Sequence, residues 1–240
     1  MAVREVLTYP DPVLKQLCAP AQPEDVARVA TDLLDTMRSF DHCVGLAAPQ
    51  IGEPVRIAVV DVSAHPRAKD PHGLMVLVNP RVTARSEGSK VSREGCLSLP
   101  DLTANVRRPR KATVEFTGYL APVTPGGGRT AGSIESDAAT TEPGANRPDA
   151  ADSDPAGADA TGSGGAAATT GSDEAAAEAT GPVPADPDPA DPAGHAVHRV
   201  DLASFEARCV LHEIDHLDGI LFLDRVASIT DDLFRRRTYR

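Results

Sequence analysis

Between Pro23 and Phe40 apolar residues recur at steps of three and four, at Val26, Val29, Leu33, Met37 and Phe40. That spacing predicts an amphipathic helix near the N-terminus with one buried stripe. The runs Val55 to Val62, Leu74 to Val78 and Thr113 to Tyr119 are short and rich in branched residues, and they predict strands. Further on, Asp201 is placed to cap a helix that starts at Leu202 and ends near Gly219, a residue suited to a left-handed C-cap. On such a helix Leu202, Phe205, Cys209, His212, Glu213 and His216 share an arc of about 100°, so the apolar stripe runs directly into two histidines.

Residues 121 to 198 break every pattern. They contain no Phe, Tyr, Trp or Leu and consist mainly of Ala, Gly, Pro, Asp, Ser and Thr. Such a segment cannot bury enough apolar area to offset the entropy of ordering, and it is expected to be a disordered low-complexity acidic insertion, or a semi-rigid spacer around Pro182 to Pro192. The flanking residues, 1 to 120 and 199 to 240, are enough for one packed catalytic domain.

The segment also explains the charge. It holds 13 acidic residues against Arg129 and Arg147, which accounts for the whole net charge of −11 and leaves the rest of the chain balanced. The predicted folded part therefore gives no electrostatic indication of a nucleic-acid site. The start of the chain lacks an apolar run of the signal-peptide kind, and no stretch of about 18 uncharged apolar residues could span a bilayer. The expectation is a cytoplasmic protein with no membrane partner. Four cysteines, at 18, 43, 96 and 209, show no CxxC spacing. In a reducing compartment they are buried thiols or metal ligands rather than a disulfide framework, and Cys18 and Cys43 are most simply small buried hydrophobes.

His212-Glu213-Ile214-Asp215-His216 is an HExxH sequence, which on a helix places two imidazoles one turn apart with a carboxylate beside them. A catalytic metal usually takes three protein ligands and keeps one position for water. No third His or Glu follows at the distances familiar from zinc proteases. The chain offers instead Glu94-Gly95-Cys96-Leu97-Ser98, in which Cys96 is the natural third ligand.

With the segment Gly45-Leu46-Ala47-Ala48-Pro49-Gln50, these motifs make three that resemble, in the same order, the signatures of the peptide deformylase family. The resemblance implies an α+β fold in which antiparallel sheets pack around a C-terminal helix carrying HExxH. It implies a metal-dependent hydrolase that removes the N-formyl group from the initiator methionine of nascent polypeptides and releases formate. In that reading Cys96, His212 and His216 hold one divalent metal ion, Fe2+ by family resemblance, with Zn2+, Ni2+ or Co2+ equally suited to the ligand types. Glu213 is the general base for a metal-bound water, while the Gln50 amide and the Leu97 backbone N–H donate to the oxyanion. Gly45, Val44, Phe205 and Cys209 are the substrate-binding residues, and Glu94 pairs with Arg108 to brace the loop carrying Cys96.

The chain departs from the family pattern at Cys43, where a glycine is usual, and at Leu211, where a glutamine is common. A zinc endopeptidase would share HExxH but would not account for the other two motifs. An inactive metal-binding relative would need a fourth protein ligand, which no nearby residue supplies. Arg235-Arg236-Arg237 closes a possible amphipathic segment. In this family a basic C-terminal helix can contact the ribosome, whereas the simpler reading is a solvated helix end.

Overall fold

A computed structural model describes residues 2–121 and 197–236. The core of the expected insertion lies outside the described residues, but its edges do not. Ala121 closes strand β6 (Lys111–Ala121), and Val197 and His198 open β7 (Val197–Ala203), which pairs antiparallel with β6. The helix expected from Leu202 is shorter by two residues for the same reason. Asp201 belongs to β7, where its carboxylate accepts from the Thr113 hydroxyl instead of capping a helix, and Leu202 reaches the core from that strand.

Two antiparallel sheets make up the fold. The larger has the order β1 (Gly45–Ala47), β2 (Ile57–Val60), β3 (Leu74–Arg85), β6, β7, and the smaller has β4 (Ser89–Cys96), β5 (Leu99–Pro109) and β8 (Leu233–Arg235) in that order. The continuous apolar run of β2 follows from cover on both faces. Ile57 and Val59 pack with Val29, Leu33 and Met37 of α1 (Pro23–Ser39). Ala58 and Val60 pack with Val210, Ile214 and Leu217 of α2 (Ser204–Leu217). A strand buried on both sides loses the polar alternation of a half-buried one.

Helix α1 begins at Pro23, where a missing N–H is harmless, and the Gln22 N–H donates to the Asp25 carboxylate at 3.1 Å. Helix α2 ends as a Schellman motif. Gly219, at φ +70°, lets its N–H reach the His216 carbonyl and that of Ile220 the Asp215 carbonyl. Most of α2 is buried, because the larger sheet covers one face and side chains from the smaller sheet cover the other. The C-terminal segment departs from the expected amphipathic helix. After a single turn, α3 (Ile229–Asp232), Leu233 to Arg235 extend as β8 against Leu102 to Ala104, so Arg235 sits on a strand. No helix among the described residues is long and apolar enough to cross a membrane.

Candidate metal centre

Three elements converge where the two sheets meet α2. Strand β4 ends at Cys96, α2 presents His212, Glu213 and His216, and β1 with the 3-10 turn at Ala48–Ile51 supplies Gly45 and Gln50. The Cys96 Sγ lies 3.2 Å from His216 Nε2, and one ligand atom from each of Cys96, His212 and His216 lies within 4.8 Å of the others. The two rings meet edge to face with centroids 5.0 Å apart. His212 Nδ1 sits 3.0 Å from Glu94 Oε2, which leaves the other ring nitrogen for Cys96.

Behind His212 lies a buried charge network. Arg108 donates to both Glu94 oxygens at 2.6 and 2.9 Å and to Asp215 at 2.8 Å. Arg208 donates to Glu94 Oε1 at 2.6 Å and to the carbonyls of Val106 and Lys90. Glu94 and Arg108 stand together as the resemblance implied. Arg208 was not anticipated, since a charged helix residue is ordinarily solvated and its partner lies in a distant segment. Burial raises the Glu94 carboxyl, but bonds from His212 and Arg108 outweigh it and hold the group well below the usual carboxylate range. Arg108, against burial, is held firmly protonated by Glu94 and Asp215.

The electrostatics of the cluster suit a cation. Burial works to raise the Cys96 thiol, yet the facing His216 and His212 rings bring it well below the ordinary thiol range, toward the thiolate form that a metal ligand takes. Burial lifts the Glu213 carboxyl to about 7 against the pull of His212 and His216. Among the described residues Glu213 Oε2 and His216 Nδ1 have no hydrogen-bond partner. A buried carboxylate oxygen without a donor, next to a thiolate and two imidazoles, is a donor set that a divalent ion and its water fit.

Gln50 is 2 % exposed and is no surface amide. Its Oε1 accepts from the Ala47 N–H at 2.9 Å, and Nε2 donates to Ser98 Oγ at 3.1 Å and Cys96 Sγ at 3.4 Å. A cavity of about 310 Å³ opens beside the cluster, and Val44, Gly45, Gln50, Leu97, Phe205 and Cys209 all line it. The buried-hydrophobe expectation fits Cys18 in full and Cys43 in part, since Cys43 packs against the core cluster around α1. Cys43 is half-buried, lines the same cavity and donates from its thiol to the Gly45 carbonyl at 3.2 Å, where burial pushes the thiol up to about 12.

The chain matches the profile of the polypeptide deformylase family over residues 3–121 and 191–232. It is similar to the peptide deformylase of Rhizobium meliloti, 30 % identical over 99 % of this chain and 92 % of that one. It is also similar to that of Brucella suis, 28 % identical over 97 % and 90 %. Crystal structures of peptide deformylases share the fold. That from Thermotoga maritima superposes with a TM-score of 0.57 at 20 % identity, covering 95 % of this chain and all of that one. That of a class I type b enzyme from Acinetobacter baumannii gives 0.59 at 21 %, covering 94 % and 100 %. Sequence similarity along the whole length, with the profile falling on the two stretches that bring Cys96, His212 and His216 together, means that this chain belongs to the polypeptide deformylase family.

Proposed function

We propose that the chain hydrolyses the N-formyl group of formylmethionyl peptides, with Cys96, His212 and His216 holding one divalent ion. The observation that carries this is the meeting of a thiolate and two imidazoles beside a carboxylate without a donor, on the wall of a cavity sized for a side chain. The residues on both sides of the low-complexity segment form the one domain that does this. Initiator formylmethionine belongs to nascent chains, so the protein works in the cytoplasm. The cysteine among the three candidate ligands favours this reading over an endopeptidase with three non-sulfur ligands.

When bound, a divalent ion at this cluster acidifies a water toward neutrality and draws electron density from the formyl carbonyl. Glu213 accepts the proton of the attacking water and returns it to the leaving amine nitrogen. Water thus adds across the formyl C–N bond, with its oxygen ending on formate. Burial favours the protonated form of this carboxyl, which helps it hold the proton between the two steps. The Leu97 N–H and the Gln50 amide, whose Oε1 is fixed by Ala47 and whose Nε2 gives up its long contact to Cys96 Sγ, donate to the developing oxyanion, each worth about 3 kcal/mol in comparable sites. Val44, Phe205 and Cys209 receive the methionine side chain beside the Gly45 backbone. Fe2+ is the ion this reading assigns, which elemental analysis of protein purified without oxygen tests.

The primary assay is formate release from a formyl-methionyl peptide by the purified full chain. No formate from protein that carries its metal would overturn the proposal. Dialysis against a chelator is expected to abolish release, and restoring Fe2+ to recover it. Cys96→Ala and His212→Ala should each purify with less than about a tenth of the wild-type metal.

Gly45 makes a sharper test. A Cβ at this position would fall 2.5 Å from Glu213 Oε1 and 3.0 Å from its Cδ. Gly45→Ala therefore pushes the base aside, and a displacement near 1 Å costs about 100-fold in rate. The expected result is a fall of that size in kcat with the urea midpoint little changed, because the displaced atoms end a side chain. Unchanged kcat would show that the Glu213 position does not matter.

A further inference from the structure

The rim of the cavity carries arginines that the chemistry above leaves unused. Arg67, from the loop after β2, Arg93 on β4 and Arg236, just past β8, all line the opening, and all three are exposed. No carboxylate among the described residues pairs with any of them. Glu94 is already saturated by Arg108 and Arg208, which leaves Asp41 as the exposed carboxylate on the same rim.

Two of these cations are held in place by aromatic faces. The Arg93 guanidinium carbon lies 3.4 Å from the centroid of the Phe234 ring, and its Nη1 donates to Thr103 Oγ1 at 3.2 Å. The Arg67 guanidinium lies 4.7 Å from the Phe205 centroid, and the same ring stacks on His65 at 4.1 Å. Stacking occupies the flat face of a guanidinium and leaves in-plane N–H donors for a carboxylate. Arg236 adds a third charge to the same rim. Its Nη2 lies 3.7 Å from where a Cβ on Gly95 would stand, one residue before Cys96. Charge held on a rigid support loses less side-chain entropy when it binds an anion than charge on a free side chain.

We propose that this rim selects substrates with acidic side chains in the residues that follow the formylmethionine, a specificity that rests on the deformylase reading of the cavity. With methionine in the cavity and the formyl group at the metal cluster, the rest of the peptide leaves across the rim. Phe205 serves both roles, lining the cavity and supporting Arg67.

The test compares kcat/KM of the metal-loaded full chain on formyl-Met-Ala-Ala-Ser and formyl-Met-Glu-Asp-Ser at low and high salt. Two or three exposed ion pairs are expected to favour the acidic peptide roughly five- to tenfold, mainly through KM, with the advantage fading in about 0.5 M KCl. The triple variant R67Q/R93Q/R236Q should bring the ratio near one. Equal rates in the wild type overturn the inference and leave the deformylase reading standing, while formate from neither peptide fails the reading itself. A ratio that survives in the triple variant also overturns it. If that variant keeps the ratio but binds a single-stranded RNA probe more weakly, the rim serves phosphates instead.

Discussion

Replacing Glu213 by glutamine is expected to lower kcat for formate release by about 10³-fold, with metal content and fold retained. The amide keeps the shape of the side chain but cannot take the water's proton. The same variant should carry a second, opposite signature. A glutamate in the unfolded chain ionises near 4.5, whereas folding lifts Glu213 to about 7. Between those values the folded chain holds a proton that the unfolded chain has released. Stability of the metal-free protein should therefore fall as pH rises from about 4.5 to about 7 and stay low above it. The gap corresponds to about 3 kcal/mol at full ionisation. Metal-free Glu213→Gln, with no charge to bury, should outlast metal-free wild type in urea at pH 8 and match it near pH 4. A variant that keeps more than a tenth of the wild-type rate would remove Glu213 from the proton transfers. One that is less stable at pH 8 would show that its carboxylate has a partner.

What could be read in advance divides along physical lines. Helix α1 was legible because one face of it is buried and the other wet, which is the condition under which a 3.6-residue period shows. β2, β3 and β6 were legible in part, as runs of branched residues. The smaller sheet left little trace. β4 buries only Glu94 and Cys96 among its eight residues, and β8 is three residues long. β7 shows why one boundary moved. Leu202, Phe205 and Cys209 keep helical spacing across a junction where the chain changes structure at Ser204, which has φ +52°. Sequence period cannot register a single backbone reversal. The cluster residues were legible because thiol, imidazole and carboxylate are scarce types in compact motifs. Arg208 and the rim arginines were not, because their meaning depends on partners in distant segments, such as Glu94 for Arg208 and Phe234 for Arg93.

Glu94→Ala should be strongly destabilising. It leaves Arg108 with Asp215 alone and Arg208 with two backbone carbonyls and no anion, both inside the protein. Breaking a buried ion network from one side costs about 3–5 kcal/mol, which at an ordinary urea slope moves the midpoint by roughly 2 M. The loss has a defined pH window. The wild-type carboxyl is held well below its usual range, so its contribution is complete above about pH 4.5 and disappears as pH falls below that. Wild type and variant should therefore converge in acid. Because Glu94 also orients His212 through Nδ1, the variant should bind metal about 10- to 100-fold more weakly. Adding Arg208→Met to Glu94→Ala separates the two effects. Removing the stranded cation should restore part of the stability, but metal affinity should stay low because His212 still lacks its partner. If the double variant were no more stable than Glu94→Ala, the destabilisation would come from the cavity left by the side chain and not from the uncompensated charge of Arg208.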